Sequence, residues 1–292
     1  MTTVPKASFL SSVTKWLDSE TSVLSAVLFG SSARELDEPS AGDEWSDIDL
    51  HIIMADPSGL GKVDWTRAMP QEKFCLKIVR PATGGVRKTS VVFVKGQIDL
   101  VLIPVSQLRL ASFAMWLGLH KRPGKLQTAL NEIHVSVRSG YRFIKGEQKW
   151  RGFYSRISTE MPGVRLTNGE AVSVADVFLC EMLWVLQKIE RGELLAAQRS
   201  LHRSLADANF LLLRELRLRK NEPLPSFGLA RRVEILLKPT ELKWISVDSH
   251  LNREELRRAT WQMLDGLKAM MHQIVPEWVV PTALEDVLSR LS

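Results

Sequence analysis

The sequence predicts an α+β chain in two parts: a mixed β-sheet with flanking helices over residues 1–150, then an all-helical domain over residues 151–292. Three observations predict it. Apolar runs at 23–29 (VLSAVLF), 47–54 (DIDLHIIM) and 97–103 (QIDLVLI) have the length and composition of buried strands. The runs at 90–94 and 97–103 are linked only by Lys95-Gly96, which makes them antiparallel neighbours across a tight turn. Beyond residue 150 no period-2 pattern stands out, and apolar residues recur at helical spacing instead.

Taken in order, Phe9, Leu10, Val13, Trp16 and Leu17 fall on one face of an N-terminal helix. The first strand, 23–29, stops on Gly30-Ser31, and residues 31–36 begin a short helix. The stretch 37–46 (DEPSAGDEWS) has the composition of a loop. A strand follows at 47–54, a loop at 57–61, and a helix within 66–79 that starts at Pro70. Thr83-Gly84-Gly85 lacks the Gly-Lys-Ser/Thr of a phosphate-binding P-loop and reads as a turn. After the hairpin come helices at 107–121 and 126–138 and an edge strand at 141–144. The helical half carries a strongly apolar helix at 171–189, a Leu/Arg-patterned one at 194–219 and a third at 254–273.

Of the 292 residues 45% are hydrophobic and 25% charged, the balance of a globular protein able to bury real cores. The two cysteines, Cys75 and Cys180, lie far apart without CxxC spacing, which excludes a disulfide scaffold and a structural zinc site. Residues 1–20 are too polar for a signal peptide, and no apolar run reaches the roughly 20 residues that span a bilayer. The expectation is a cytoplasmic protein without membrane association. The formal charge of +6 is spread along the chain, with no concentrated basic stripe of the kind a committed nucleic-acid binder carries.

The chemistry lies in five spaced residues: Gly30, Ser31, Asp47, Asp49 and Asp99. Side chains alternate faces along a strand, so Asp47 and Asp49 point the same way, their Cα atoms about 7 Å apart, while Ile48 and Leu50 face the core. If the strand of Asp99 pairs beside theirs, three carboxylates converge. Such a cluster repels itself unless a hard cation sits in it, and Mg²⁺ with phosphate oxygens is the natural occupant. Gly30 allows close backbone approach to a phosphate, and Ser31 offers a hydroxyl and an N–H.

The order of strand, Gly-Ser, loop, Asp-x-Asp strand, hairpin and single Asp resembles the DNA polymerase β-like nucleotidyltransferase superfamily over about the first 105 residues. Within it, the run 97–104 (QIDLVLIP) and the two-part length resemble the streptomycin-type aminoglycoside 6-adenylyltransferases. The resemblance implies that Asp47, Asp49 and Asp99 hold Mg²⁺, that Gly30, Ser31 and Arg34 contact ATP, and that AMP passes to a hydroxyl of a small acceptor. Two metal ions would then stabilise the attacking and leaving oxygens of an in-line displacement. Arg34 follows the serine after Ser32 and Ala33, where the subfamily has Gly-Ser-Arg in sequence. Glu181, in FLCEMLW, matches an inward glutamate of the subfamily's helical domain. Asp99 and Glu181 are both candidates for the base that deprotonates the acceptor.

Other residues weigh less. His51 shares the face of Asp49 and reads as a packed neighbour. Trp45 is the tryptophan best placed to stack on a base or sugar, and Asp37, Glu38, Asp43 and Glu44 form an acidic loop patch. An acceptor of RNA or protein is the alternative, with Arg199, Arg203, Arg214, Arg217 and Arg219 as a backbone-contacting face. A catalytically silent nucleotide-binding module is the third reading, against which the three intact acids speak.

Overall fold

Strands β1 (Val23–Phe29), β2 (Ile48–Met54), β3 (Phe74–Pro81), β4 (Arg87–Phe93), β5 (Gly96–Pro104) and β6 (Tyr141–Lys145) form a mixed sheet. Their order is β3-β4-β5-β2-β1-β6. The only parallel pair among the described residues is β2 with β5, which requires a crossover; β3, β4 and β5 form a meander. This computed structural model describes residues 6–34, 42–43, 46–82, 85–122, 124–161, 165–223 and 233–289. The chain divides into two units, Met1–Val164 and Arg165–Ser292.

Alternation sorts the sheet into two faces. Ala26, Leu28, Ile48, Leu50, Ile52, Ile98, Leu100 and Leu102 are buried on one, against helix α1 (Lys6–Ser19) and Trp65 of the short helix α2 (Trp65–Ala68). Val27, Phe29, Ile53 and Ile103 are buried on the other, under helices α3 (Val105–Trp116), α4 (Lys125–Val137) and α5 (Glu147–Glu160). Polar contacts fix α1 at its middle and at its C-terminal end. Buried Glu72 accepts from the Ser12 hydroxyl at 2.7 Å and pairs with Lys95 of the β4–β5 turn at 3.2 Å. Lys145 donates to the carbonyls of Leu17 and Glu20, satisfying the open end of α1 with a cation.

Two expectations need correction. Residues 66–79 are not a helix: after the single turn of α2 the chain becomes the edge strand β3, on which Phe74, Leu76 and Ile78 recur at period 2. Lys77 and Arg80 keep this outer strand charged, which suits an edge. The division between the units falls at 164 rather than 150, because Trp150, Phe153, Tyr154 and Ile157 of α5 complete the core on the second face of the sheet.

The described residues of the second unit form helices and connecting segments with no strand: α6 (Asn168–Glu190), α7 (Leu194–Ser200), α8 (Asp207–Arg219), α9 (Val233–Leu236), α10 (Pro239–Ile245), α11 (Arg253–Ile274) and α12 (Thr282–Ser289). A π-type stretch, Leu201–Ala206, joins α7 to α8, so the expected single helix over 194–219 has a widened middle. Thr167 and Glu170 cap α6 reciprocally. Asn209, buried, donates to the carbonyls of Trp244 and Met263 and ties α8 to α10 and α11.

Candidate metal and nucleotide site

β2 and β5 run parallel and in register, so Asp49 lies directly beside Asp99. Asp47 stands one residue before β2 and on the same face. The three carboxylates offer ligand atoms within 4.8 Å of one another. Asp99 is buried at 3% exposure, which removes the reading of it as a surface residue.

The register of β1 adds the phosphate-side elements. Its last residue, Phe29, pairs with Asp49, so the next residue, Gly30, turns directly over that carboxylate. Gly30 has φ +71°, and a Cβ there would lie 2.8 Å from Asp49 Oδ2. The turn Gly30–Ala33 then buries Ser31, whose Oγ has no hydrogen-bond partner among the described residues. A buried hydroxyl left unpaired costs free energy, and an anion's oxygen beside it would satisfy it. Ser32 donates to the Asp47 carbonyl at 2.7 Å and anchors the start of β2 to this turn. Arg34 is half-buried at the far end of the turn. Close-set carboxylates under a tight glycine turn with an orphaned hydroxyl fit a hard divalent cation and phosphate oxygens.

Gly30→Ala is the sharpest test of this cradle. The left-handed backbone costs about 1–2 kcal/mol with a Cβ, and the atom that must give way is the end of the Asp49 side chain. The damage therefore falls on the site more than on the fold. A thermal melt should show a modest loss, and a Mn²⁺ titration should show binding lost or severely weakened.

Sequence reasoning missed the partners of Asp99. Lys88 of β4 reaches over β5, with Nζ 2.6 Å from Asp99 Oδ2 and 3.9 Å from Asp49 Oδ1. Gln97 donates to Asp99 Oδ1 at 2.9 Å. Ser90, opposite Asp99 in the hairpin, hydrogen-bonds it as well, and Arg80 donates to Ser90 at 2.8 Å. Burial pushes the Asp99 carboxyl up, but the hydrogen bonds from Lys88, Ser90 and Gln97 outweigh it and hold the pKa below the ordinary aspartate value.

His51 is a packed residue, as expected. Its Nδ1 lies 3.0 Å from the Tyr154 hydroxyl and its ring 4.2 Å from that of Phe29. Burial lowers its pKa to about 3, so the imidazole is neutral at physiological pH. Beyond it, a cavity of about 390 Å³ opens between the sheet and helices α3 and α4, with Val101, Ile103, Leu108 and Ile133 among its walls. Among its lining residues there is no Lys or Arg, so this apolar space does not suit a triphosphate.

Glu181 lies in the second unit, on α6. It is half-buried on the outward side of that helix, which also exposes Val177 and Trp184, while Phe178, Met182 and Val185 fill the core. A carboxylate in that position needs no buried partner. Three of the five arginines read as a nucleic-acid face are occupied structurally. Arg214 and Arg217 are buried, Arg217 pairs with Glu241 at 2.8 Å, and Arg219 bonds Glu215 and the carbonyls of Leu166 and Ile274. That face therefore does not exist as drawn from the sequence. Trp45, Asp37, Glu38, Glu44, Thr83 and Gly84 lie outside the described residues. Cys75 and Cys180 are exposed and unpaired, and no helix among the described residues is long and apolar enough to cross a membrane.

No protein-family model matches the chain, and no curated protein matches it in sequence. Solved structures are similar to it, two of them as follows. One is an aminoglycoside 6-adenyltransferase from Bacillus subtilis, at 12% identity and TM-score 0.42, covering 97% of this chain and 95% of that one. The other is a nucleotidyltransferase-like protein from Exiguobacterium sibiricum, at 13% identity and TM-score 0.30, covering 92% and 75%.

Proposed function

We propose that this chain is a divalent-metal-dependent nucleotidyltransferase. It moves AMP from ATP to a hydroxyl of a small acceptor, of the aminoglycoside class that the sequence resemblance implies, and releases pyrophosphate. The observation that carries this reading is the in-register pair Asp49 and Asp99 with Asp47 beside them, under the left-handed Gly30 turn.

Asp47, Asp49 and Asp99 would hold Mg²⁺. When bound, the ion neutralises phosphate charge and stabilises the oxygens that gain charge during transfer. The Gly30–Ala33 turn presents backbone and the unpaired Ser31 hydroxyl to the phosphates, with Arg34 adding positive charge. The acceptor oxygen bonds to the α-phosphorus, the bond from that phosphorus to the bridging oxygen breaks, and its electron pair leaves with pyrophosphate. The hydroxyl proton needs a base. Asp99 serves poorly, since both its oxygens already accept hydrogen bonds and its pKa is held low. The sequence resemblance implies Glu181 for that role. Glu181→Gln should then lower kcat by about 10²–10⁴-fold and leave the KM for ATP unchanged; an unaltered kcat removes the assignment.

ATP labelled in its α-phosphate, incubated with the protein, Mg²⁺ and a panel of aminoglycosides, tests the whole reading. Transfer of label to an acceptor with release of pyrophosphate is the expected result. Transfer to other small hydroxyl compounds alone would displace the aminoglycoside assignment; transfer to nothing would displace the enzyme.

A further inference from the structure

We infer that the Lys88 ammonium is the resident counter-cation of the carboxylate cluster, and that a divalent ion enters by exchanging with it at Asp99. This rests on reading the three aspartates as metal ligands.

The hairpin places Lys88 for this role. Ser90 stands opposite Asp99, and Lys88, two residues earlier on the same strand, shares its face. From there the side chain crosses β5 and sets its ammonium between Asp99 and Asp49, at 2.6 and 3.9 Å. The repulsion within the cluster is therefore reduced when metal is absent, because a positive charge sits between Asp99 and Asp49. Gln97 occupies the other oxygen of Asp99, so the Oδ2 side is where that carboxylate can be freed. A hard cation held by Asp99 and Asp49 would need the space the ammonium fills, and two cations would not share it.

Lysine suits a place that must be vacated. Its head is a compact charge on a flexible stem, whereas arginine would lock a planar fork onto the carboxylate. The Lys88 side chain is 32% exposed, so it has water to move toward. Arg80 does not substitute for it, being committed to the Ser90 hydroxyl one strand further out. Exchange makes metal affinity a difference between two cations, tuned by a residue that is itself no ligand.

The test is a Mn²⁺ titration of nucleotide-free protein, following free Mn²⁺ by electron paramagnetic resonance, for wild type, Lys88→Met and Lys88→Arg. With the competitor removed, Lys88→Met should bind Mn²⁺ about tenfold more tightly or better, within the range by which one neighbouring charge shifts a carboxylate's hold on a proton. Without metal it should melt at a lower temperature than wild type, and Mn²⁺ should abolish the difference. Lys88→Arg, which keeps the charge, should bind Mn²⁺ no more tightly than wild type. Equal or weaker Mn²⁺ binding by a Lys88→Met protein of native circular dichroism overturns the exchange. Because nucleotide is absent, that result leaves AMP transfer untouched, while a wild type that binds Mn²⁺ and transfers nothing overturns only the transferase.

Discussion

Asp99→Asn should abolish AMP transfer, with a loss of about a thousandfold or more, while the protein keeps its fold. The carboxylate lies on a central strand, is buried, and stands directly beside Asp49. Asparagine has the same shape and keeps one oxygen to accept from Gln97, while the Lys88 ammonium retains Asp49 nearby and water to turn to, so the hairpin has no reason to open. What disappears is one formal charge at the centre of the cluster. Removing one preorganised electrostatic contact from an active site typically costs about 10²–10³-fold, and a metal ligand contributes at least that. The check is the rate of label transfer from ATP beside a thermal melt of the same preparation. A variant with near-normal turnover would show that Asp99 only braces the sheet.

The largest effect on stability is expected away from this site. Arg217 and Glu241 form a buried pair in the helical unit, at 2.8 Å, with side chains 5% and 8% exposed. Arg217 also donates to the Pro223 carbonyl and pairs with Glu222. Removing one member of such a pair strands the other charge out of water. Arg217→Met should therefore destabilise the helical unit by about 3–5 kcal/mol, read as a lower urea midpoint. Arg217→Met with Glu241→Gln should recover part of that loss. If Arg217 instead belonged to an RNA-contacting face, the single change would leave the midpoint alone and alter only a salt-dependent binding constant.

Much of this architecture is legible in the sequence because strands read at short range. The run 23–29, its stop at Gly30-Ser31, and the alternation that puts Asp47 and Asp49 opposite Ile48 and Leu50 all follow from period 2 and a glycine. The edge strand β6 and the long helices α6 and α11 announce themselves equally well by their own spacing. The helix expected at 66–79 failed because Pro70 outweighed the alternation of Phe74, Leu76 and Ile78, and an exposed edge strand carries a weak apolar signal.

Lys88 was hidden by a smaller error. With Lys95-Gly96 as the two turn residues, Asp99 would face Val92, and Lys88 would lie level with Ile103. The turn is Val94-Lys95, which shifts the partner by two, so that Asp99 faces Ser90 and Lys88 comes within reach. Hairpin register is set entirely by which residues turn, and composition alone did not distinguish the two. The arginines of α8 misled for a different reason. Leu and Arg alternating at helical spacing look like a core face and a solvent face, yet Arg214 and Arg217 are buried, and Arg217 meets its carboxylate on an element far along the chain.

The most direct measurement is a crystal of the protein grown with Mn²⁺ and recorded at a wavelength where manganese scatters anomalously. The account predicts a peak among the oxygens of Asp47, Asp49 and Asp99, with the Lys88 ammonium withdrawn from Asp99. Manganese bound elsewhere, with Lys88 still between the two strands' carboxylates, would contradict it.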